Sequence, residues 1–415
     1  LCRFGDKSII DQIKQYIMPR LAKTESCTGC MACMNACAKG AIKFLADEEG
    51  FLQPVVDEEK CIECHLCERS CPEIQNQYHY NQGDVDVYAG WNVSDRQVSS
   101  SGGAFSSIAK FVLGKGGVVY GAFLDENLEC KHIEVDNIEG LNKLRGSKYM
   151  QSTIGLTFKS VKKNLLAGKY VLFSGTPCQI AGLLTYLAKD YDNLVTMDLV
   201  CHGVPSNALF KKYIEKLENR LGFAENEKVA NYEFRRRDGW GFTPSISTTM
   251  SNFRKIKGID GLYMSAFDKA AIFRQSCYQC HYTRVTRVGD FTVGDFWGLG
   301  HQGVPFKYDM TKGVSLLLVN TDKGREIMKS LDNDNFYVKR SLQEAAARNH
   351  NLTKVSNRPI NREQVIKAFM DDSMSLSDIE CSQHLFDRSV KARLSSLSET
   401  LGIYDMLKKI HNLIG

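Results

Sequence analysis

Two eleven-residue stretches hold eight of the chain's fifteen cysteines. Cys27, Cys30, Cys33 and Cys37 follow the spacing Cys-x2-Cys-x2-Cys-x3-Cys, and Cys61, Cys64, Cys67 and Cys71 repeat it. Thiolates are soft ligands, suited to iron-sulfur clusters and zinc. Three of them on one tight loop can cap three irons of a cubic 4Fe-4S cluster, while the fourth must arrive from elsewhere. Zinc sites normally pair two short Cys-x2-4-Cys knuckles and do not use a four-cysteine run twice over. The pattern therefore points to iron-sulfur chemistry, and His65, inside the second run, reads as a loop residue beside a cluster and not as a ligand.

Pro72 closes the second run, and the whole pattern resembles the bacterial two-cluster ferredoxin, in which the fourth cysteine of each run serves the other cluster. That resemblance implies one cluster on Cys27, Cys30, Cys33 and Cys71 and another on Cys61, Cys64, Cys67 and Cys37. The first run ends on Ala38 where a proline usually stands, which softens a turn and removes no ligand. Residues 21 to about 75 are expected to form an α+β, ferredoxin-like dicluster module, a wire for single electrons. Its partner would be a ferredoxin or another low-potential carrier.

A wire needs a terminus, and the rest of the chain must supply it. Residues 76 to 84, "NQYHYNQGD", are polar and aperiodic and read as a linker. Beyond them "VDVYAGWNV" alternates like a strand, "SSSGGAFSSIAKFVLGKG" reads as a glycine turn opening an amphipathic helix, and "GVVYGAFL" returns as a strand. This is an α/β unit, and its Ser-Gly turn offers free backbone N-H groups where phosphates bind. "KYVLFSGTPCQIAGLLTYL" is again strand, turn and helix, with Cys178 at the turn, the place where α/β sheets bind ligands. Cys201 ends the next apolar strand, and Cys277 and Cys280 form a Cys-x2-Cys pair. Spacing alone does not group these four.

The motifs "SSGG", "RGSKY" (145 to 149), "SGTPCQIAGL" (174 to 183), "CHGVPS" (201 to 206), "SCYQC" (276 to 280) and "GDFWG" (294 to 298) follow one another in order. Over roughly residues 85 to 330 they resemble the coenzyme F-420 hydrogenase/dehydrogenase beta-subunit family, which includes the plant 7-hydroxymethyl chlorophyll a reductase. The resemblance implies an α/β domain that binds FAD and carries a third 4Fe-4S cluster on Cys178, Cys201, Cys277 and Cys280. It also implies FAD contacts from Ser101, Gly102, Gly103, Arg145, Gly146, Ser147, Lys148 and Tyr149, and from the turn Gly175, Thr176 and Pro177. Arg145 and Lys148 are suited to a diphosphate or to the N1 side of a flavin. His202, next to Cys201, is a candidate catalytic proton donor, against the alternative of a hydrogen bond to a ligand sulfur.

The expected organisation is an extension (1–20), a dicluster ferredoxin domain (21–80), an FAD-binding domain with its own cluster (81–335) and a mainly helical C-terminal tail (336–415). Within the tail, "SLSETLGIYDMLKKIHNLI" has helical spacing. It would pack on the body or on a second copy, leaving room for a homo-oligomer. The sequence "GLGHQG" (298 to 303) satisfies G-x-G-x-x-G, yet "VPFKYDMTKG" after it cannot be the helix a nicotinamide site requires. Cys2, Cys130 and Cys381 share no site.

A net charge of +5 over 415 residues does not argue for nucleic acid, and "FRRRDGW" (234 to 240) reads as a solvated strand end. The apolar run "VSLLLV" falls far short of the roughly 20 residues of a membrane span, and no leader pattern is present, so a cytoplasmic protein is expected. The expected function is that of an oxidoreductase passing electrons between a ferredoxin-type carrier and a small organic substrate through 4Fe-4S clusters and FAD. The alternative is an electron-relay subunit of a larger redox complex with no substrate of its own.

Overall fold

The computed structural model describes residues 18–235, 243–302 and 304–386. The N-terminal module contains an antiparallel hairpin, β1 (Ile42–Ala46) and β2 (Leu52–Val56), between two short helices, Ala32–Ala36 and Leu66–Arg69, one in each cysteine run. The two runs share a backbone device. Gly29 and Met31 in the first, and Glu63 and His65 at the same positions of the second, all have positive φ, from 55° to 69°. Alternating left-handed residues curl the chain so that successive N-H groups face one concavity, a shape common at phosphate and iron-sulfur sites.

The body is built on an eight-stranded sheet containing β3 (Asp86–Asn92), β4 (Val118–Leu124), β5 (Cys130–Val135), β6 (Val171–Gly175) and β7 (Leu194–Leu199). A separate three-stranded sheet holds β8 (Val229–Glu233), β9 (Ser245–Thr248) and β10 (Phe253–Lys255). The large sheet is completed by β11 (Phe291–Asp295), β12 (Ser315–Val319) and β13 (Asn335–Arg340), and its order is β13-β3-β12-β11-β7-β6-β4-β5. Strands β4, β6, β7 and β11 run parallel, flanked by antiparallel neighbours. The apolar run at 314 to 319 is β12, buried along its whole length, as a strand covered on both faces should be.

Helix Ala104–Gly114 packs with Val119, Leu172 and Val195 on one face of this sheet. Helices Thr157–Leu166 and Pro177–Leu187 cover Val118, Val171 and Phe173 on the other. The loops leaving β3, β6, β7 and β11 therefore gather at one end of the sheet, beyond the carboxyl ends of the parallel strands. Two sequence expectations change here. The segment beyond residue 335 is not a helical appendage from its start, because β13 is the edge strand beside β3. Its helices Arg362–Met370 and Leu376–Gln383 then pack into a core with helix Asn207–Leu221. The expected helix at 396 to 414 lies outside the described residues.

The linker is also fastened more firmly than its polarity implied: Asn81 bonds the Arg287 and Gly289 carbonyls, and Tyr78 stacks on His281 at 4.3 Å. Among the described residues no helix is long and apolar enough to cross a membrane.

Candidate redox centres and cofactor cavity

The dicluster module is locked onto the body through buried arginines. Arg274, 1% exposed, donates from Nε to the Cys27 carbonyl at 2.6 Å and from Nη2 to the Leu52 carbonyl and Gln53 Oε1, both at 2.9 Å. Gln151 Nε2 donates to the Thr28 carbonyl at 2.8 Å, and a Cβ on Gly29 would lie 2.6 Å from that nitrogen. Arg362 holds Glu49 across the same seam with two bonds of 2.6 and 2.7 Å. Close approach is also built into Gly182, where a Cβ would sit 2.8 Å from Cys30 Sγ.

Cys27, Cys30, Cys33 and Cys71 line one small pocket, so the fourth cysteine of the second run joins the first three of the first. Burial pushes the Cys30 thiol up to about 12, with Cys71 and Cys27 adding to it. Burial likewise raises Cys33 well above the ordinary thiol range. Cys67 is pushed to about 11, again chiefly by burial, and Cys37 contributes to the rise. Cys61 is half-buried and Cys64 is exposed, so the second run faces solvent on the side away from the body.

The four downstream thiols come from three elements. Cys178 lies in the first turn of helix Pro177–Leu187, Cys201 follows β7, and Cys277 and Cys280 flank the end of a single 3-10 turn. They line a common pocket with Thr176 and His202. Burial raises all four, Cys277 to about 12, and each feels the charge of at least one of the others or of a neighbouring ionisable group. Thr176 caps its helix in a reciprocal box with Gln179, and its hydroxyl lies 3.2 Å from Cys178 Sγ.

A larger cavity of about 450 Å³ opens at the carboxyl end of the parallel strands. Ser101, Gly103, Arg145, Gly146, Ser147, Lys148, Tyr149, Gly175, Thr176 and His202 all line it. Two expected contacts do not. Gly102 packs beneath the turn, where a Cβ would meet the Gly90 carbonyl at 2.2 Å and the Ser315 nitrogen at 2.6 Å, and Pro177 faces the thiol pocket. Gly103, at φ 88°, opens helix Ala104–Gly114 with no side-chain cap, and the buried Ser101 hydroxyl has no hydrogen-bond partner among the described residues. The Ser147 N-H donates to Ser100 Oγ at 2.8 Å, joining the two turns across the cavity.

Charges on the wall are partly committed. Arg145 is buried against Asp95 and donates to Ser106 Oγ at 3.0 Å. Lys148 Nζ donates to the carbonyls of Leu144 and Arg145, each at 2.9 Å. Burial lowers the pKa of His202, whose ring meets Phe267 and Phe273 edge-on.

Sequence reasoning missed Arg235. It is buried and ion-paired with Asp295 on the cavity wall, so the expected solvated strand end is corrected for this residue; 236 to 242 lie outside the described residues. It also missed His132, bonded to the Ser174 carbonyl and Ser152 Oγ at 2.9 Å each and lowered to about 4 by burial. The "GDFWG" motif was the available signal for the first, since it contains Asp295. Nothing local marked His132. After "GLGHQG" no helix follows before β12 among the described residues, in keeping with the rejection of a nicotinamide fingerprint.

Residues 168–344 match the family model for the C terminus of the coenzyme F420 hydrogenase/dehydrogenase beta subunit, and residues 26–73 match the 4Fe-4S dicluster domain. The chain belongs to the coenzyme F420 hydrogenase/dehydrogenase beta-subunit family. Within this family it is 24% identical over 175 residues to one of the subunits of the F(420)H(2) dehydrogenase of Methanosarcina mazei. That match takes in 39% of this chain and 49% of the relative, so the chain spans about half the length of the curated relative. The fold also aligns with a chain of the F420-reducing [NiFe] hydrogenase complex from Methanosarcina barkeri. There the TM-score is 0.44 and the identity 16%, over 72% of this chain and 97% of that one. Family membership and the dicluster domain make this an iron-sulfur, electron-transferring oxidoreductase-family subunit.

Proposed function

We propose that the chain is an iron-sulfur flavoprotein that moves electrons between an external one-electron carrier and an organic substrate. Two 4Fe-4S clusters would sit in the dicluster module, a third on Cys178, Cys201, Cys277 and Cys280, and FAD in the large cavity. The observation that carries this reading is continuity. The downstream thiol pocket shares Thr28 and Glu73 with the pocket of Cys27, Cys30, Cys33 and Cys71, and shares Thr176, Cys201 and His202 with the large cavity.

The residues fit the groups proposed for them. Buried thiols whose ionisation burial opposes can be deprotonated when a cationic cluster binds them. The uncapped start of helix Ala104–Gly114 and the orphaned Ser101 hydroxyl offer donors to a diphosphate. Arg145, held by Asp95, keeps a fixed positive charge behind that turn. FAD would supply the change from single electrons to a two-electron or hydride transfer. His202, on the wall shared by thiol pocket and cavity, is placed to hold a proton there. The exposed Cys64 side is where an external carrier would meet the chain.

The relay reading is favoured by one finding, that the matched relative is itself described as part of a multi-subunit dehydrogenase. A cavity of about 450 Å³ beside the thiols favours an enzyme with its own small-molecule site. The test is anaerobic reconstitution with metal and flavin assay, then reoxidation of the photoreduced protein by candidate compounds. About twelve irons and one FAD per chain, with saturable reoxidation and no second protein, support the proposal. About eight irons remove the third cluster, and reoxidation only by an added protein makes the chain a relay.

A further inference from the structure

Tyr282 is 3% exposed, and its hydroxyl has no hydrogen-bond partner among the described residues. Leaving such a group unpaired costs on the order of 1–3 kcal/mol, so its position calls for an acceptor. The ring belongs to the same packed core as Cys30, and Cys178 and Cys280 pack against that core. The phenol oxygen feels the charges of Cys178, Glu73, Cys30 and Cys280. The side chain lines the pocket of the downstream thiols and is absent from the wall around Cys27, Cys30, Cys33 and Cys71. It is held from both sides: Arg287 Nη1 donates to its carbonyl at 2.8 Å, and the Tyr78 ring meets its ring edge-on at 5.8 Å. This is a rigid donor without an acceptor, at the edge of a space proposed for a sulfur-rich, negatively charged group.

We propose that the Tyr282 hydroxyl donates a hydrogen bond to the cluster held by Cys178, Cys201, Cys277 and Cys280 and thereby raises its reduction potential. The inference rests on the third cluster of the preceding reading. Reduction adds one negative charge to such a group, and a hydrogen bond directed at it stabilises the reduced form more than the oxidised form. One electron arrives and the proton stays on the phenol. Because Tyr282 stands between Cys30 and Cys178, the effect biases electrons to move from the dicluster side toward the cavity. Tyr282 is a positioning residue in this scheme, since it tunes the cluster and touches no substrate.

The experiment is potentiometric titration of Tyr282→Phe against wild type, with each cluster followed by its own paramagnetic signal and iron counted beforehand. The ring and its packing are retained. The expected result is roughly a tenfold loss in the reduction equilibrium of the downstream cluster, about 59 mV for a one-electron couple, with both dicluster signals unmoved. Tyr191→Phe, which removes another buried orphan hydroxyl outside that pocket, should leave all three unmoved.

A downstream potential unchanged in Tyr282→Phe, or shifted equally in Tyr191→Phe, overturns the proposal. Should the variant fail to retain the cluster, exchange of the wild type into D2O decides. A strongly coupled exchangeable deuteron at the downstream cluster is expected, and its absence overturns the assignment. A wild-type chain with only eight irons instead overturns the third-cluster reading itself, and the tuning role falls with it.

Discussion

Replacing Arg274 by methionine should loosen the seam between the cysteine runs and the body without touching a thiol. The guanidinium donates to the Cys27 and Leu52 carbonyls and to the side chains of Gln53 and Gln151, at distances from 2.6 to 3.1 Å. Hydrogen bonds from a charged donor are each worth about 1.5–3 kcal/mol, which for four gives roughly 6–12 kcal/mol gross. Methionine also removes the cost of burying a charge, several kcal/mol per ion, and it keeps part of the packing against Phe51, 5.5 Å from the guanidinium. The net loss should be about 3–5 kcal/mol, or a local opening roughly a hundred to a few thousand times more populated.

Native-state hydrogen exchange, read by mass spectrometry, measures this directly. Peptides covering Thr28 to Cys33 and Leu52 to Gln53 should exchange faster by that factor, while β6 and β7, buried along most of their length, stay protected. Unchanged exchange at the first cysteine run would refute the argument that Arg274 holds the seam.

Cys178→Ser should remove about four irons per chain and leave the dicluster signals intact, checked by metal assay and paramagnetic resonance; loss of all clusters together would contradict separate ligand sets. Gly102→Ala should destabilise by about 2 kcal/mol or more, because its Cβ would meet backbone at 2.2 and 2.6 Å; the midpoint of chemical unfolding against wild type measures it. Burial lowers His132 from 6.5 to about 4, so the folded state binds fewer protons than the unfolded one between those values. The stability it contributes is full above pH 6.5 and is lost as pH falls toward 4, by up to about 3 kcal/mol. His132→Asn should flatten that part of the stability profile, and a profile of unchanged slope would assign the acid sensitivity to other groups.

The cysteine runs and the strand-turn-helix units were legible because their signals are local: fixed spacing, period-two alternation, glycine turns before amphipathic stretches. Cys178, Cys201, Cys277 and Cys280 were not groupable by spacing, since they lie on three elements brought together only by the parallel order of β6, β7 and β11. The family resemblance supplied what spacing lacked. Gly102 and Gly103 read alike as phosphate-turn glycines, yet one is required by the backbone pressed against it and only the other faces the cavity. The buried roles of Arg235 and Arg274 depend on partners 60 residues away or more, Asp295 for one and Cys27 for the other. A basic residue in a polar stretch carries no mark of such a partner. The edge strand Asn335–Arg340 was missed because it pairs with β3, more than two hundred residues earlier, and its half-buried alternation is weak.

The seam made by Arg274, Gln151, Arg362 and Gly182 also bears on timing. A carrier on a swinging arm must diffuse to its acceptor before each delivery, and solvent viscosity then sets the pace. Here Cys30 is wedged against Gly182 and the Cys27 carbonyl is tied to the residue three before Cys277. An electron leaving the first thiol group would meet the same gap on every turnover. Internal transfer would then depend on spacing and driving force alone, while friction and crowding would act on the encounter at the outward-facing Cys64.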